Sequence, residues 1–199
     1  MNKILFLSAF LTFSCSFTSP VLAASDRIVF ASYNVENLFD AEHDAGKADW
    51  EFLPMTFKKV SHELKAYCKT KTGYNLESCF NLDSSQDALN GKLARVADTL
   101  MTMKDGQGPD IVMMPEVENA NVLHQLNVNF LKKAGYQTEV LLEGMDERGI
   151  DVGFLSRYPI VGKPVLHQIQ FSKESVPGGQ QPATRGILEV QVKLPTGEV

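Results

Sequence analysis

The stretch Asp110-Ile-Val-Met-Met-Pro-Glu-Val-Glu118 decides how this chain folds. Ile111 to Met114 form an unbroken apolar run, Gly108-Pro109 punctuates its start, and an acid, Glu116, follows it. Such a run reads as a buried strand. It would deliver the Glu116 carboxylate to an exposed rim on a rigid support, which is how a catalytic Mg²⁺ or Ca²⁺ needs a hard oxygen ligand to be held. Alone the pattern has a plainer reading, because many strands end in an acid where the chain meets solvent.

Outward from that strand the chain alternates helix and strand signals. Before it, Leu89, Leu93, Val96, Leu100 and Met103 recur at spacings of four and three, the stripe of an amphipathic helix stopped near Gly106. Lys92, Arg95 and Asp98 lie off the stripe. After it, Leu123, Leu126, Phe130 and Ala134 share one side of a second helix, with Asn119 or Asn121 as N-cap and Gly135 at its end. Strands are expected at Thr138–Glu143 and Asp151–Ser156, joined by a turn over 144–149. Alternation then places Val165, His167, Ile169 and Phe171 on one face, which makes His167 a core histidine. Gly178, Gly179 and Pro182 mark a loop, and Arg185 opens a last strand with Leu188, Val190, Val192 and Leu194 facing inward. The first strand, Arg27 to Val35, is apolar on both faces and is expected at the centre of a sheet.

Four ordered blocks carry more than any one of them: Asn34-Val-Glu-Asn-Leu-Phe-Asp40, the Glu116 strand, Arg148-Gly-Ile-Asp-Val-Gly-Phe-Leu-Ser-Arg-Tyr-Pro-Ile160, and Thr184-Arg-Gly-Ile-Leu-Glu-Val-Gln-Val192. In this order and spacing the chain, from about Arg27 to its last residue, resembles the endonuclease/exonuclease/phosphatase superfamily, the metal-dependent phosphodiesterases related to pancreatic DNase. The bacterial secreted branch is nearest. The resemblance implies an α/β fold of two mixed β-sheets packed as a sandwich with helices outside. It also implies hydrolysis of a phosphate ester by metal-activated water.

The resemblance assigns residues as well. Glu116 would hold the metal, Mg²⁺ or alternatively Mn²⁺ or Ca²⁺, with Asn34 beside it as a second ligand; from the residue alone, Asn34 is a turn or cap asparagine. Arg185 would meet the phosphate, because a planar guanidinium suits bidentate contact, and its plainer role is a rim salt bridge. Asp151 sits just inside an otherwise buried run, where structural hydrogen bonding and catalysis are both open to it. Relatives usually carry Gln where this chain has Pro115, which removes a backbone donor next to Glu116. The His, the Asp-x-Asn stretch and the Asp-His pair of the family's second half do not occur. The 199 residues therefore read as an N-terminal portion, residues 24–199, of a longer domain, expected to be inactive alone.

The remaining signals concern address and substrate. Lys3, the apolar Ile4–Phe13 and Val21-Leu-Ala23 read as a secretory signal peptide over residues 1–23, too short and too interrupted for a membrane anchor. A secreted or periplasmic protein follows. The two cysteines left after cleavage, Cys68 and Cys79, then favour a disulfide over free thiols. They lie in a polar, mixed insert at about 41–86, expected to be a long rim loop in which His43 and His62 face solvent. The formal net charge of −5 argues against gripping nucleic acid by bulk charge, yet leaves open a nuclease that works through a bound cation and a local basic rim. Nucleic acid is the expected substrate. A phosphatase or phospholipid phosphodiesterase of the same fold, and a non-catalytic binding module, are the alternatives.

Overall fold

The computed structural model describes residues 27–169, 171–172 and 184–199. The expected signal peptide, residues 1–23, and the expected loop at Gly178, Gly179 and Pro182 lie outside them. No described helix is long and apolar enough to cross a membrane.

Among the described residues, six strands form two sheets. β1 (Phe30–Ser32), β2 (Ile111–Val117), β3 (Thr138–Val140) and β4 (Asp151–Ser156) make a four-stranded mixed sheet in the order β1-β2-β4-β3. β1 runs parallel to β2, and the other pairs are antiparallel. β5 (Val165–His167) and β6 (Ile187–Glu189) form a two-stranded antiparallel sheet. Period-two alternation along β2 serves two cores at once. Val112 and Met114 face one side, where they pack with Leu93, Leu100, Leu123 and Leu126 from the helices. Ile111 and Met113 face the other, against Phe154, Leu166 and Leu188, where the two sheets meet. This is the expected α/β sandwich.

The helical stripes fall where the periodicity puts them. α4 (Gln86–Met101) buries Leu89, Leu93, Val96, Ala97 and Leu100, and its N-cap Ser85 accepts a hydrogen bond from the Ala88 N–H. α5 (Ala120–Gln125) begins at Asn119, whose side chain accepts from the Val122 N–H, and continues as a π turn over Leu126–Phe130. Gly135 closes that segment at φ +73, a conformation glycine adopts freely.

Four expectations need correction. β1 lies at the edge of its sheet, with Phe30 57% exposed, because it is only three residues long and pairs with β2 alone. β3 ends at Val140 instead of Glu143, since β4 continues past it only to meet β2. His167 is no core residue: Leu166 and Leu188 are register partners on the inner face, which turns His167 outward to a 2.7 Å contact with Glu189.

The fourth correction concerns the insert. It is no long loop: α1 (Met55–Val60), α2 (His62–Cys68) and α3 (Gly73–Asn81) fold round a small core of Leu53, Leu64, Cys68 and Cys79. The expected Cys68–Cys79 disulfide joins α2 to α3. Buried Lys58 ties the unit together by donating to the Glu51 and Cys79 carbonyls at 2.6 and 2.9 Å. His62, at the start of α2, faces solvent as expected, but His43 is half-buried, its ring tilted against Trp50 with centroids 3.8 Å apart and bonded to Asp49.

Because this small core is separate from those of the sheets, replacing both Cys68 and Cys79 by Ser should act locally. The cysteines are 11 residues apart, so losing the closed loop should cost about 2–3 kcal/mol. Hydrogen exchange should show α2 and α3 losing protection while β2 and β4 keep theirs.

Candidate active site

The site is made by a fault in strand pairing. Opposite β4, Pro115 pairs with Val152 and Val117 with Asp151, so the register slips and Glu116 bulges out between them. Glu116 has φ +72, a left-handed conformation that costs a non-glycine residue about 1–3 kcal/mol. The segment after β1 stabilises it. Val35 donates to the Pro115 carbonyl at 3.1 Å, Leu38 to the Glu116 carbonyl at 2.8 Å, and Glu118 to the Leu38 carbonyl at 3.0 Å. Between those bonds Glu36 and Asn37 also take positive φ, 53 and 61. Asn34 holds this turn by accepting from the Glu36 N–H at 2.7 Å. From α4, Lys92 reaches back to the Glu36 and Asn37 carbonyls.

Out of this frame the Glu116 carboxylate points to the rim. Its Oε2 accepts from the Asn37 N–H at 3.0 Å, and its Oε1 lies 3.4 Å from an Arg185 guanidinium nitrogen. Burial pushes its pKa up, but the hydrogen bond from Asn34, that from the Asn37 N–H and the Arg185 charge outweigh burial and hold it below the ordinary carboxyl value. Glu116 is therefore ionised across the neutral range. Arg148 adds a further cation at the same edge, donating to the Asn37 side-chain oxygen at 3.1 Å.

Asp151 reaches the site through the backbone. It is almost fully buried and accepts from the Gly144 N–H at 2.9 Å, while its second oxygen has no hydrogen-bond partner among the described residues. Burial, and after it the Glu143 charge, push it up to about 7. A Cβ on Gly144 would stand 2.5 Å from that carboxylate and 2.7 Å from the Arg185 carbonyl. Asp151 thus fixes the Gly144 turn, and the turn sets the backbone from which Arg185 reaches Glu116.

Two residues past Glu116 the environment reverses. Glu118 is 1% exposed, accepts from the Asp40 N–H at 2.7 Å and leaves Oε1 without a partner among the described residues. Burial first, and then the charges of Asp40, Asp44 and Asp49, push it up to about 9, so it carries a proton at neutral pH. Asn119 spans the neighbouring acids, donating to Asp40 at 3.1 Å and to Asp44 at 3.4 Å.

Glu116 offers one anionic oxygen donor to a divalent cation. Among the described residues no group of three His, Cys, Asp or Glu side chains converges on a point. A single ionised carboxylate on a rigid bulge does suit Mg²⁺ or Mn²⁺, which keep several waters and take substrate oxygens as further ligands. The Asn34 Oδ1 accepts from the Glu36 N–H and the side chain is hydrogen-bonded to Glu116, so as it stands Asn34 positions the carboxylate. The structure brings Asn34, Glu116 and Arg185 together and sets Asp151 behind them. Sequence reasoning missed Asn37, Lys92 and Arg148. Asn37 lies inside a recognisable block, and Lys92 stands off its helix stripe, but neither position reveals a contact made across the fold.

The profile of the endonuclease/exonuclease/phosphatase family matches residues 29–199. No curated protein and no solved structure matches the chain significantly.

Two outcomes test this geometry. Folded Glu118 keeps its proton up to about pH 9, whereas the unfolded chain releases it near 4.5. Its contribution is thus full below 4.5 and is lost as pH rises toward 9. Glu118→Gln should remove a slope on the order of 1 kcal/mol per pH unit across that window, read by thermal unfolding at pH 5 and pH 8. Gly144→Ala should cost about 1–3 kcal/mol through overpacking and lower turnover as well, because it pushes the Arg185 backbone away from Asp151; a stability and activity pair measured on one preparation checks both.

Proposed function

The chain is a member of the endonuclease/exonuclease/phosphatase family, and on that footing we propose that it is an exported, divalent-metal-dependent nuclease. Phosphate-ester hydrolysis is the activity the family supports; nucleic acid as substrate, the metal and export are this proposal's own. The observation that carries it is Glu116: one ionised carboxylate, displaced to the rim by a bulge, with a guanidinium 3.4 Å away.

Each residue has a definite role. Glu116 supplies the anionic oxygen that would hold Mg²⁺ or Mn²⁺. When bound, the metal neutralises charge that develops on phosphate oxygens during displacement. Asn34 and the Asn37 N–H fix the carboxylate and keep it deprotonated. Arg185 offers a fork of donors to the phosphate, and its contact with Glu116 places that fork before substrate arrives. Lys92 secures the Glu36–Asn37 turn on which the whole arrangement rests.

The nuclease reading predicts that Glu116→Gln in the full protein lowers cleavage of DNA or RNA by at least about a hundredfold. EDTA should abolish the parent's activity, and Mg²⁺ or Mn²⁺ should restore it. Nucleotide release is the readout, assayed beside sugar-phosphate and phospholipid substrates. Turnover of either of those without nucleic-acid cleavage would move the proposal to a phosphatase or a phospholipid phosphodiesterase.

A further inference from the structure

A groove beside Glu116 runs outward from the turn that positions that carboxylate. It is about 300 Å³ in volume, and its walls come from three parts of the chain: Asn37 and Phe39 after β1, Phe52 and Leu82 from the insert, and Lys92 and Arg95 on α4. Its inner end is the catalytic turn, because Asn37 both lines it and donates to Glu116. A second hollow of about 490 Å³ contains Asn34 and shares Glu36, Lys92 and Arg95 with the first. The two make a track on either side of these α4 cations.

The groove's chemistry is selective. Phe39 and Phe52 are stacked, with ring centroids 4.0 Å apart and planes within 5°. Phe39 is buried, which fixes the plane of half-buried Phe52. Lys92 is committed to the Glu36 and Asn37 carbonyls. The exposed Arg95 guanidinium has no hydrogen bond or ion pair within the described residues. Glu36 and Asp83 also line the walls and disfavour a heavily charged anion. A flat apolar surface next to one available guanidinium suits a nucleobase joined to a singly charged phosphodiester. A sugar phosphate has no flat apolar face to lay on Phe52.

We propose that the groove between the insert and α4 binds a nucleotide next to the scissile phosphate in a single-stranded polynucleotide, its base against Phe52 and its phosphodiester on Arg95. The inference rests on the nuclease reading and makes the insert the source of strand selectivity. A base must be unpaired to lie on an aromatic ring, so single strands bind better than duplex.

The test uses the full protein carrying Glu116→Gln, so that binding is read without cleavage. A fluorescein-labelled 12-nucleotide single strand is titrated by anisotropy over a range of salt. Phe52→Leu should weaken binding about tenfold with its salt dependence unchanged. Arg95→Gln, a surface change that leaves folding intact, should weaken binding and reduce the slope of log K against log salt by about 0.7. If the parent binds the strand and both variants bind it equally well with the same slope, the groove assignment is overturned while the nuclease reading stands. If the parent binds no oligonucleotide at all, the nuclease reading falls, and the groove assignment with it.

Discussion

The slip of register between Pro115 and Val117 is the constraint on which the rest of the site depends. A regular strand would set Glu116 in line with its neighbours and leave its carboxylate no privileged position. The slip turns it outward at positive φ, and that strained conformation persists only because the surroundings over-determine it. The Pro115 carbonyl, the Glu116 carbonyl and the Glu118 N–H are all bonded to residues 35–38. Pro115 has no N–H to lose, so a proline at the break removes one donor that the interrupted ladder would otherwise leave to be satisfied. The other end of β2 is pinned by Asp110, which accepts from the Val29 N–H, Lys104 and Arg157. A strand fixed at one end and broken at the other delivers one side chain to one place.

Two acids on that strand end show how far position governs chemistry. Glu116 and Glu118 differ by two residues and are driven in opposite directions. The first is half-buried, receives hydrogen bonds and faces Arg185, so it stays charged. The second is enclosed with three other acids nearby and is pushed up to about 9. A buried, proton-bearing carboxyl packs against the Asp40 N–H without bringing net charge into the interior. The site thus presents one anion at its mouth and keeps the other neutral behind it.

Much of this was legible in the chain. β2 and β4 were readable because a short apolar run bounded by turn residues has to be covered on both faces, and α4 because its stripe runs over four turns. The paired cysteines found each other. Other features were not legible, for physical reasons. The helices of the insert span six, seven and nine residues, too short for a hydrophobic period to declare itself, and they are held by a disulfide and a private core. His43 and His167 were exchanged in character: His43 gained a buried acceptor in Asp49, and His167 was turned out by a hairpin register that sequence does not fix. The bulge itself leaves only Pro115 as a trace. Asn37 and Lys92 act through contacts to residues 79 and 55 positions away, which no local pattern encodes.

The most direct test of the central claim is where a divalent metal binds. Crystals of the full protein grown with Mn²⁺ should give an anomalous-scattering peak about 2.0–2.3 Å from a Glu116 carboxylate oxygen, with Arg185 released toward a bound phosphate or solvent. A peak beside Asp40, Asp44 and Glu118 with none at Glu116, or no peak at either, would contradict the assignment of Glu116 as the metal-bearing carboxylate.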